Sequence, residues 1–202
     1  MMQFLKSARV KLIKDNIQKG DRIPFTDKDC DVGRFIDHTM AQKGHKIDRN
    51  GIVDLPEFGI DNKAKEFNSK SAHTQGSMTI KDIISTPEWK QTRFYKKTLN
   101  QNQITWNKNF QEVTDVTILD MNLPEIQDRL ETAYKDLRDQ LIENKQKGIR
   151  KKNMTSRCGW AIFDGYGHDQ SYRFRIPHIV MKKIKTLSKS RDTRNKLFKQ
   201  DD

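Results

Sequence analysis

Two aspartates and a lysine occur close together in one short segment, at a spacing that could support phosphodiester chemistry. The segment reads Asp54-Leu-Pro-Glu-Phe-Gly-Ile-Asp-Asn-Lys63. Hydrolysis of a phosphodiester needs a hard cation that neutralises charge on the phosphate and activates water, and carboxylate oxygens hold such a cation. Asp54 and Asp61 could provide these oxygens. Lys63 shares one side of a strand with Asp61, so its ammonium could stabilise charge that develops on phosphorus.

The pattern acid-x-Lys is a weak signal by itself in a chain this rich in charge. Glu88-Trp-Lys90 and Glu143-Asn-Lys145 also match it, but both lie on predicted helices, where residues two apart diverge by about 200°. Asp61-Asn-Lys63 alone lies on an alternating apolar strand with an upstream aspartate at a turn. The alternative is an edge strand that displays solvated charges, and the spacing does not decide between the two.

Helices are predicted before this segment. An amphipathic helix is expected over Met1–Gln18, and a second over Asp29–Lys43 with a buried stripe of Val32, Phe35, Ile36 and Met40. Asn50-Gly51 marks a turn. The pattern from Ile52 to Phe67 is strand-like with an interruption at Leu55-Pro56. Alternation in its second half predicts one side with Phe58, Ile60, Asn62 and Ala64, and another with Gly59, Asp61, Lys63 and Lys65.

The remaining elements alternate between strands and helices. A polar loop is predicted over Asn68–Ser77, followed by a strand over Ser77–Ile80 or, instead, a short helix over Lys81–Ser85 capped by Thr79. The patterns then predict a helix from Pro87 to Lys97, strands over Gln103–Trp106 and Val113–Met121, and a helix over Pro124–Lys147. The last predicted elements are a basic loop over Ile149–Arg157, a hairpin of Trp160–Phe163 and Tyr172–Ile176, and a helix from Pro177. This order predicts a mixed α/β domain.

The composition of the 202-residue chain points to a polyanionic partner. Its formal net charge is +12 and its pI is about 9.7, and nucleic acid is the usual partner of such a chain. A basic surface that serves only solubility is the alternative. Cys30 and Cys158 are too few for a disulfide framework, and no apolar run approaches the roughly 20 residues of a membrane span. A cytoplasmic setting is therefore expected.

The segment from Asp54 to Lys63 resembles the signature of the MutH-type endonucleases. This family of the PD-(D/E)xK nuclease superfamily includes the mismatch-repair nicking enzyme and related type II restriction endonucleases. Its pattern is Asp-Phe-Pro-Glu-Leu-Gly-Val-Glu-Leu-Lys or a close variant. Asp61 departs from the pattern, because Glu is usual at this position, and its shorter side chain would shift the metal.

The resemblance implies a fold, a cofactor and a substrate. The fold would be α/β and restriction-endonuclease-like, with a mixed central sheet flanked by helices. Residues 1–202 would form one endonuclease domain, with a catalytic part over about 25–120 and a DNA-reading part over about 121–190. The implied cofactor is Mg²⁺, and the implied reaction is site-specific cutting or nicking of double-stranded DNA that leaves 5′-phosphates. A monomer is expected, with a cognate methyltransferase or repair activator as possible partners.

The resemblance also implies roles for particular residues. Asp54 and Asp61 would bind the metal, and Lys63 would act beside them. Asp37, in Gly33-Arg-Phe-Ile-Asp37, would match an acidic residue on the helix that precedes the signature, although it could be a plain exposed position. A second catalytic lysine would correspond to Lys97, or Gln101 or Gln103 could take its place.

Residues late in the chain are candidates for DNA contact. Tyr172-Arg-Phe-Arg-Ile176 resembles the family's DNA-reading strand, where Arg173 and Arg175 share one side and could read guanine. His168, at the hairpin tip, could donate to a base or phosphate. The basic loop offers phosphate contacts through Lys151, Lys152 and Arg157. Solvated charges and an ordinary turn are the alternatives.

Two other functions remain open from the sequence. One is a nuclease of the same fold with another role, such as recombination, phage DNA processing or structure-specific cleavage. The other is a basic nucleic-acid-binding protein without catalysis, in which Asp54, Asp61 and Lys63 would be surface charges.

Overall fold

The computed structural model describes residues 17–23, 29–48, 53–57, 59–165 and 170–197. The predicted turn at Asn50-Gly51 lies outside the described residues, and so does the predicted N-terminal helix except for its last two positions. In chain order the elements are α1 (Asp29–Gln42), β1 (Asp61–Glu66), β2 (His73–Thr79), α2 (Ile80–Ser85), a 3₁₀ turn (Trp89–Gln91), α3 (Arg93–Thr98), β3 (Asn100–Asn107), β4 (Glu112–Asp120), α4 (Pro124–Gln146), β5 (Asn153–Thr155), β6 (Ile162–Gly165), β7 (Ser171–Ile176) and α5 (His178–Leu197).

The fold is mixed α/β, as the sequence predicts. Its strands are divided between two sheets instead of forming one central sheet. The contacts also divide the chain into two compact units. The first unit contains residues 1–69 and 99–120, and the second contains residues 70–98 and 121–202. Among the described residues, no helix is long and apolar enough to cross a membrane.

The first unit contains a mixed three-stranded sheet that packs against α1. Its order is β1-β3-β4, with β1 parallel and β4 antiparallel to the central β3. The predicted stripe of α1 is confirmed at Val32, Ile36 and Met40, which are fully buried. They join Ile60 and, on its border, Ala64 in one core cluster. Because neighbours on a strand point to opposite sides, this packing directs Asp61 and Lys63 to the other side of β1.

The second unit contains a four-stranded antiparallel sheet of order β2-β7-β6-β5. Its core is aromatic, with the rings of Phe94 and Phe174 stacked at 5.1 Å between centroids and Trp89 5.4 Å from Phe174. Burial alternates along β7, so Tyr172, Phe174 and Ile176 face this core. The predicted stripe of α4 is also confirmed as buried, at Ile126, Leu130, Ala133, Leu137 and Leu141.

Several elements differ from the sequence prediction. The predicted loop over Asn68–Ser77 is wrong, because β2 already begins at His73 and pairs with the end of β7. A continuous helix from Pro87 to Lys97 is also wrong. Thr92 has an extended backbone there, and its hydroxyl accepts from the backbone N–H of Tyr95 at 3.0 Å, so it caps a separate helix α3. Within the predicted basic loop, β5 pairs with β6.

Candidate functional site

A tight turn brings Asp54 next to the start of β1. Leu55 and Ile60 exchange backbone hydrogen bonds of 2.9 and 3.2 Å, and Gly59 has φ +61° within this turn, a conformation that glycine adopts without strain. The reversal places Oδ2 of Asp54 2.7 Å from the backbone nitrogen of Asn62, which donates to it. The carboxylate of Asp54 therefore lies beside the residue that separates Asp61 from Lys63.

Asp61 and Lys63 form an ion pair along one side of β1, through Nζ of Lys63 and Oδ2 of Asp61. The side chain of Asp61 is fully buried, whereas that of Lys63 is 22% exposed. A buried carboxylate is costly unless a positive group compensates it, and Lys63 provides that compensation. The alternation predicted for this strand therefore agrees with the structure.

Asp37 approaches the same strand from α1. Nδ2 of Asn62 lies 3.4 Å from Oδ1 of Asp37, and Oδ1 of Asn62 accepts from Nδ2 of Asn102 at 3.2 Å. Asn62 thus links the half-buried Asp37 to β3. Because Asn62 and Asp61 are neighbours on a strand, this contact lies on the side of β1 opposite to Asp61.

Two glutamines on β3 lie beside the acidic pair. The parallel register pairs Gln101 with Asp61 and Gln103 with Lys63, and residues paired in this way share a side of the sheet. Both glutamines are buried, and Gln103 is only 2% exposed. In the part of the chain that the structure describes, neither end of the Gln103 amide has a hydrogen-bond partner. A native buried amide of this kind calls for an explanation, and a ligand is one.

Lys97, the first choice for a second catalytic lysine, lies in the last turn of α3 and belongs to the second unit. Its side chain packs over Gly76, where an added Cβ would lie 3.0 Å from Cδ of Lys97. Its proposed catalytic role remains a prediction. Gln101 and Gln103, the alternatives for this place, are the residues that the structure brings beside Asp61 and Lys63.

The donors at the start of β1 fit a magnesium ion in their chemistry. Across the described ranges, no group of three His, Cys, Asp or Glu side chains is arranged to hold a metal. Mg²⁺ does not need such a group, since it keeps several waters and is usually bound by one or two carboxylates together with substrate phosphates. Asp54 and Asp61 would be these two carboxylates.

The predicted DNA-reading arginines lie on the side of β7 away from the aromatic core. Nη2 of Arg173 and Nη1 of Arg175 both donate to Oδ2 of Asp164, each at 2.7 Å. Nη2 of Arg175 also donates to the backbone oxygen of Ala72 at 3.0 Å. Whether either arginine reads a base remains a prediction. Asp164 is a site residue that the sequence does not predict, because the predicted strand ends at Phe163 and leaves Asp164 in the hairpin tip, whereas β6 continues to Gly165.

The basic loop is held by its backbone while its basic side chains stay exposed. The Tyr172 hydroxyl donates to the backbone oxygen of Lys151. The backbone nitrogen of Gly165 donates to the backbone oxygen of Lys152 at 2.7 Å. Burial raises the pKa of the Tyr172 hydroxyl above its ordinary value. Arg157 is 83% exposed and lies 3.4 Å from Asp136. Lysines on a fixed backbone are suited to phosphate contact.

His168 lies outside the described residues, as does Phe58. The predicted role of His168 at the hairpin tip is therefore not addressed by the structure.

Comparison with models of known protein families finds no match, and a search of curated proteins finds no similar sequence.

Proposed function

We propose that this chain is a magnesium-dependent endonuclease that hydrolyses phosphodiester bonds of double-stranded DNA at a specific short sequence. The observation that supports this most strongly is the grouping at the start of β1. Oδ2 of Asp54 lies 2.7 Å from the backbone nitrogen of Asn62. The two residues that flank Asn62 in the chain, Asp61 and Lys63, form an ion pair with each other. The resemblance of this segment to the MutH-type signature adds a restriction-endonuclease-like fold to the proposal.

The three residues would have different roles. Asp54 and Asp61 would hold Mg²⁺ through carboxylate oxygens. When bound, the metal neutralises charge on the phosphate and lowers the pKa of water. Lys63 would then exchange its contact with Asp61 for one with the attacking water or a phosphate oxygen, where its charge stabilises the transition state. Gln103 would donate from its buried amide to the same phosphate.

Affinity for DNA would come mainly from the basic surface. The chain carries a net charge of +12, and Arg150, Lys151 and Lys152 are exposed on a loop whose backbone is fixed. Contacts of this kind bind the phosphate backbone irrespective of sequence. In this proposal the protein acts in the cytoplasm as a monomer, and its candidate partners are a cognate methyltransferase or a repair activator.

A second candidate is a nucleic-acid-binding protein without catalysis. The observation that favours it is the Asp61–Lys63 pair, in which the buried carboxylate already has its counter-charge within the protein. In this case the basic loop would supply the whole function, and no metal would be needed.

Incubation of supercoiled plasmid with the protein distinguishes the candidates. The nuclease predicts nicked or linear DNA with Mg²⁺ and intact plasmid with excess chelator, and ligase should reseal ends that carry 5′-phosphates. Sequencing of the ends separates site-specific cutting from structure-specific processing. A protein that retards the plasmid in a gel but leaves it intact with Mg²⁺ would support the second candidate.

A further inference from the structure

Two asparagine side chains interrupt the apolar layer between α1 and the sheet of the first unit. Asn62 on β1 and Asn102 on β3 are partners in the parallel register, so they lie on the same side of the sheet. On this side, Ile60 precedes Asn62 and Ile104 follows Asn102, and both isoleucines belong to the apolar core cluster. Asn102 is fully buried. A pair of amides therefore occupies a place in a layer that is otherwise built from apolar side chains.

The two amides form a chain whose donors are directed from β3 toward α1. Nδ2 of Asn102 donates to Oδ1 of Asn62 at 3.2 Å, and Nδ2 of Asn62 lies 3.4 Å from Oδ1 of Asp37. The same nitrogen of Asn62 lies 3.8 Å from Sδ of Met40. Because both neighbours of Asn62 in this chain belong to other elements, the chain fixes the position of Asn62 between β3 and α1.

The backbone of the same Asn62 holds a carboxylate of the proposed cutting centre. β1 lies at the edge of its sheet, and the backbone N–H of Asn62 donates to Oδ2 of Asp54 at 2.7 Å. Hydrogen bonds to a carboxylate that binds a metal fix its orientation and tune its affinity for the metal. A shift of Asn62 would therefore move the donor that orients Asp54.

Stability of the fold does not explain the asparagine pair. Oδ1 of Asn102 is buried and has no hydrogen-bond partner among the described residues. A buried polar atom without a partner destabilises the folded state, whereas replacing both members of a pair by apolar groups of similar shape can be neutral or stabilising. Local conflicts of this kind are expected at functional sites.

We infer that Asn102 is a positioning residue of the proposed metal centre. Through the side chain of Asn62 it fixes the backbone N–H that orients Asp54, and it thereby raises the affinity of the centre for a divalent cation. The two amides act through Asp54 and do not bind the metal themselves. The inference rests on the metal binding in the proposed function, but it requires neither cleavage nor a specific DNA sequence.

A double-mutant cycle tests whether Asn102 acts through Asn62. The variants are Asn62→Leu, Asn102→Leu and the two together, and the affinity for Mn²⁺ is measured by electron paramagnetic resonance without DNA. Mn²⁺ is the probe because it prefers the same oxygen ligands as Mg²⁺. We expect each single substitution to weaken Mn²⁺ binding by about tenfold, as for other residues that orient metal ligands. The double variant should bind Mn²⁺ like the single variants, because Asn102→Leu has nothing left to disturb once Asn62 is replaced.

Ile104→Val is the matched control for a general loss of packing. Ile104 is fully buried on β3, two residues after Asn102. Its substitution should lower the urea midpoint of unfolding and leave the affinity for Mn²⁺ unchanged. The double asparagine variant should show the reverse, with an equal or higher midpoint and weaker Mn²⁺ binding. Circular dichroism checks that each variant is folded, and if a single variant is not, the double variant decides.

Several results would overturn the inference. One is wild-type affinity for Mn²⁺ in a folded Asn102→Leu or in the double variant. Another is an additive loss of about hundredfold in the double variant, since the two residues would then act independently. An equal loss in Ile104→Val would also overturn it. In each case, a wild type that cuts plasmid with Mg²⁺ leaves the nuclease standing, whereas a wild type that neither binds Mn²⁺ nor cuts DNA overturns both proposals.

Discussion

Charge is balanced differently in the two units. In the first unit, one lysine neutralises one buried aspartate, and a backbone N–H donates to the neighbouring Asp54. In the second unit, Arg173 and Arg175 share the carboxylate of Asp164 on a partly exposed sheet face. The buried pair holds a carboxylate and an ammonium in place, whereas the arginines of the second unit lie on a face that solvent partly reaches. The proposed division between cutting and reading follows from this contrast.

The largest effect is expected from Asp54→Ala. Loss of a metal ligand removes several kcal/mol of transition-state stabilisation, and each 1.36 kcal/mol is tenfold in rate, so cleavage should fall by at least about 10³-fold. DNA affinity should change little, because phosphate contacts provide it. Plasmid cleavage under single-turnover conditions measures the rate. Asp115→Ala, an exposed aspartate on β4 of the same unit, is the control and should cut normally.

Two substitutions of Asp61 test whether its carboxylate binds the metal or only supports the structure. Asp61→Glu keeps the negative oxygen and should retain cleavage within about tenfold, whereas Asp61→Asn should lose about 10²-fold or more, because the metal needs a charged oxygen. Cleavage at several Mg²⁺ concentrations checks both variants. Full activity of Asp61→Asn would show that Asp61 is not a ligand.

Gln103 should show opposite effects on stability and activity. Gln103→Leu removes an unsatisfied buried amide, so the free energy of unfolding should rise by about 1–3 kcal/mol while cleavage falls. Gln127 is the matched control, because its buried amide accepts from Trp89 at 2.9 Å and donates to Met121 at 2.8 Å. Gln127→Leu should destabilise the protein. Urea unfolding measures both, and a loss of stability in Gln103→Leu would contradict the account.

The smallest expected effect concerns the basic loop. Lys151→Ala should reduce affinity for all duplexes alike and lower the slope of log affinity against log salt by about one unit. Lys135→Ala removes the same charge from α4, where Glu131 pairs with it at 2.6 Å, and should leave the slope unchanged. Titrations of random duplex over a salt series provide the comparison, and equal slopes for both variants would remove the loop from the interface.

Local patterns in the sequence predict much of the fold. The stripes of α1 and α4 follow from the spacing of their apolar residues, and the alternation of β1 places Asp61 and Lys63 on one side because Ile60 must face the core. The sequence predicts Thr79 either at the end of a strand or as the cap of a short helix, and in the structure it does both: it ends β2, and its hydroxyl accepts from the backbone N–H of Asp82 at 3.1 Å.

Contacts between distant residues limit what the sequence can show. Gln103 lies beside Lys63 only because β1 and β3 pair in parallel, across about 40 residues of chain. The contacts of Arg173 and Arg175 with Asp164 depend likewise on the register of β6 and β7. The break at Thr92 depends on one side-chain hydrogen bond, which competes with the helix that Pro87 would start.

The most direct test of the proposed cutting centre compares two lysines on one strand. Lys63→Ala and Lys65→Ala each remove one positive charge from β1, and the two residues are predicted to share a side, but only Lys63 is in the proposed centre. Single-turnover plasmid cleavage with Mg²⁺, together with DNA affinity, is measured for both after circular dichroism confirms the fold. We expect Lys63→Ala to cut at least about 10²-fold more slowly at similar affinity, and Lys65→Ala to cut nearly as wild type. Cleavage by Lys63→Ala at the wild-type rate would contradict the account.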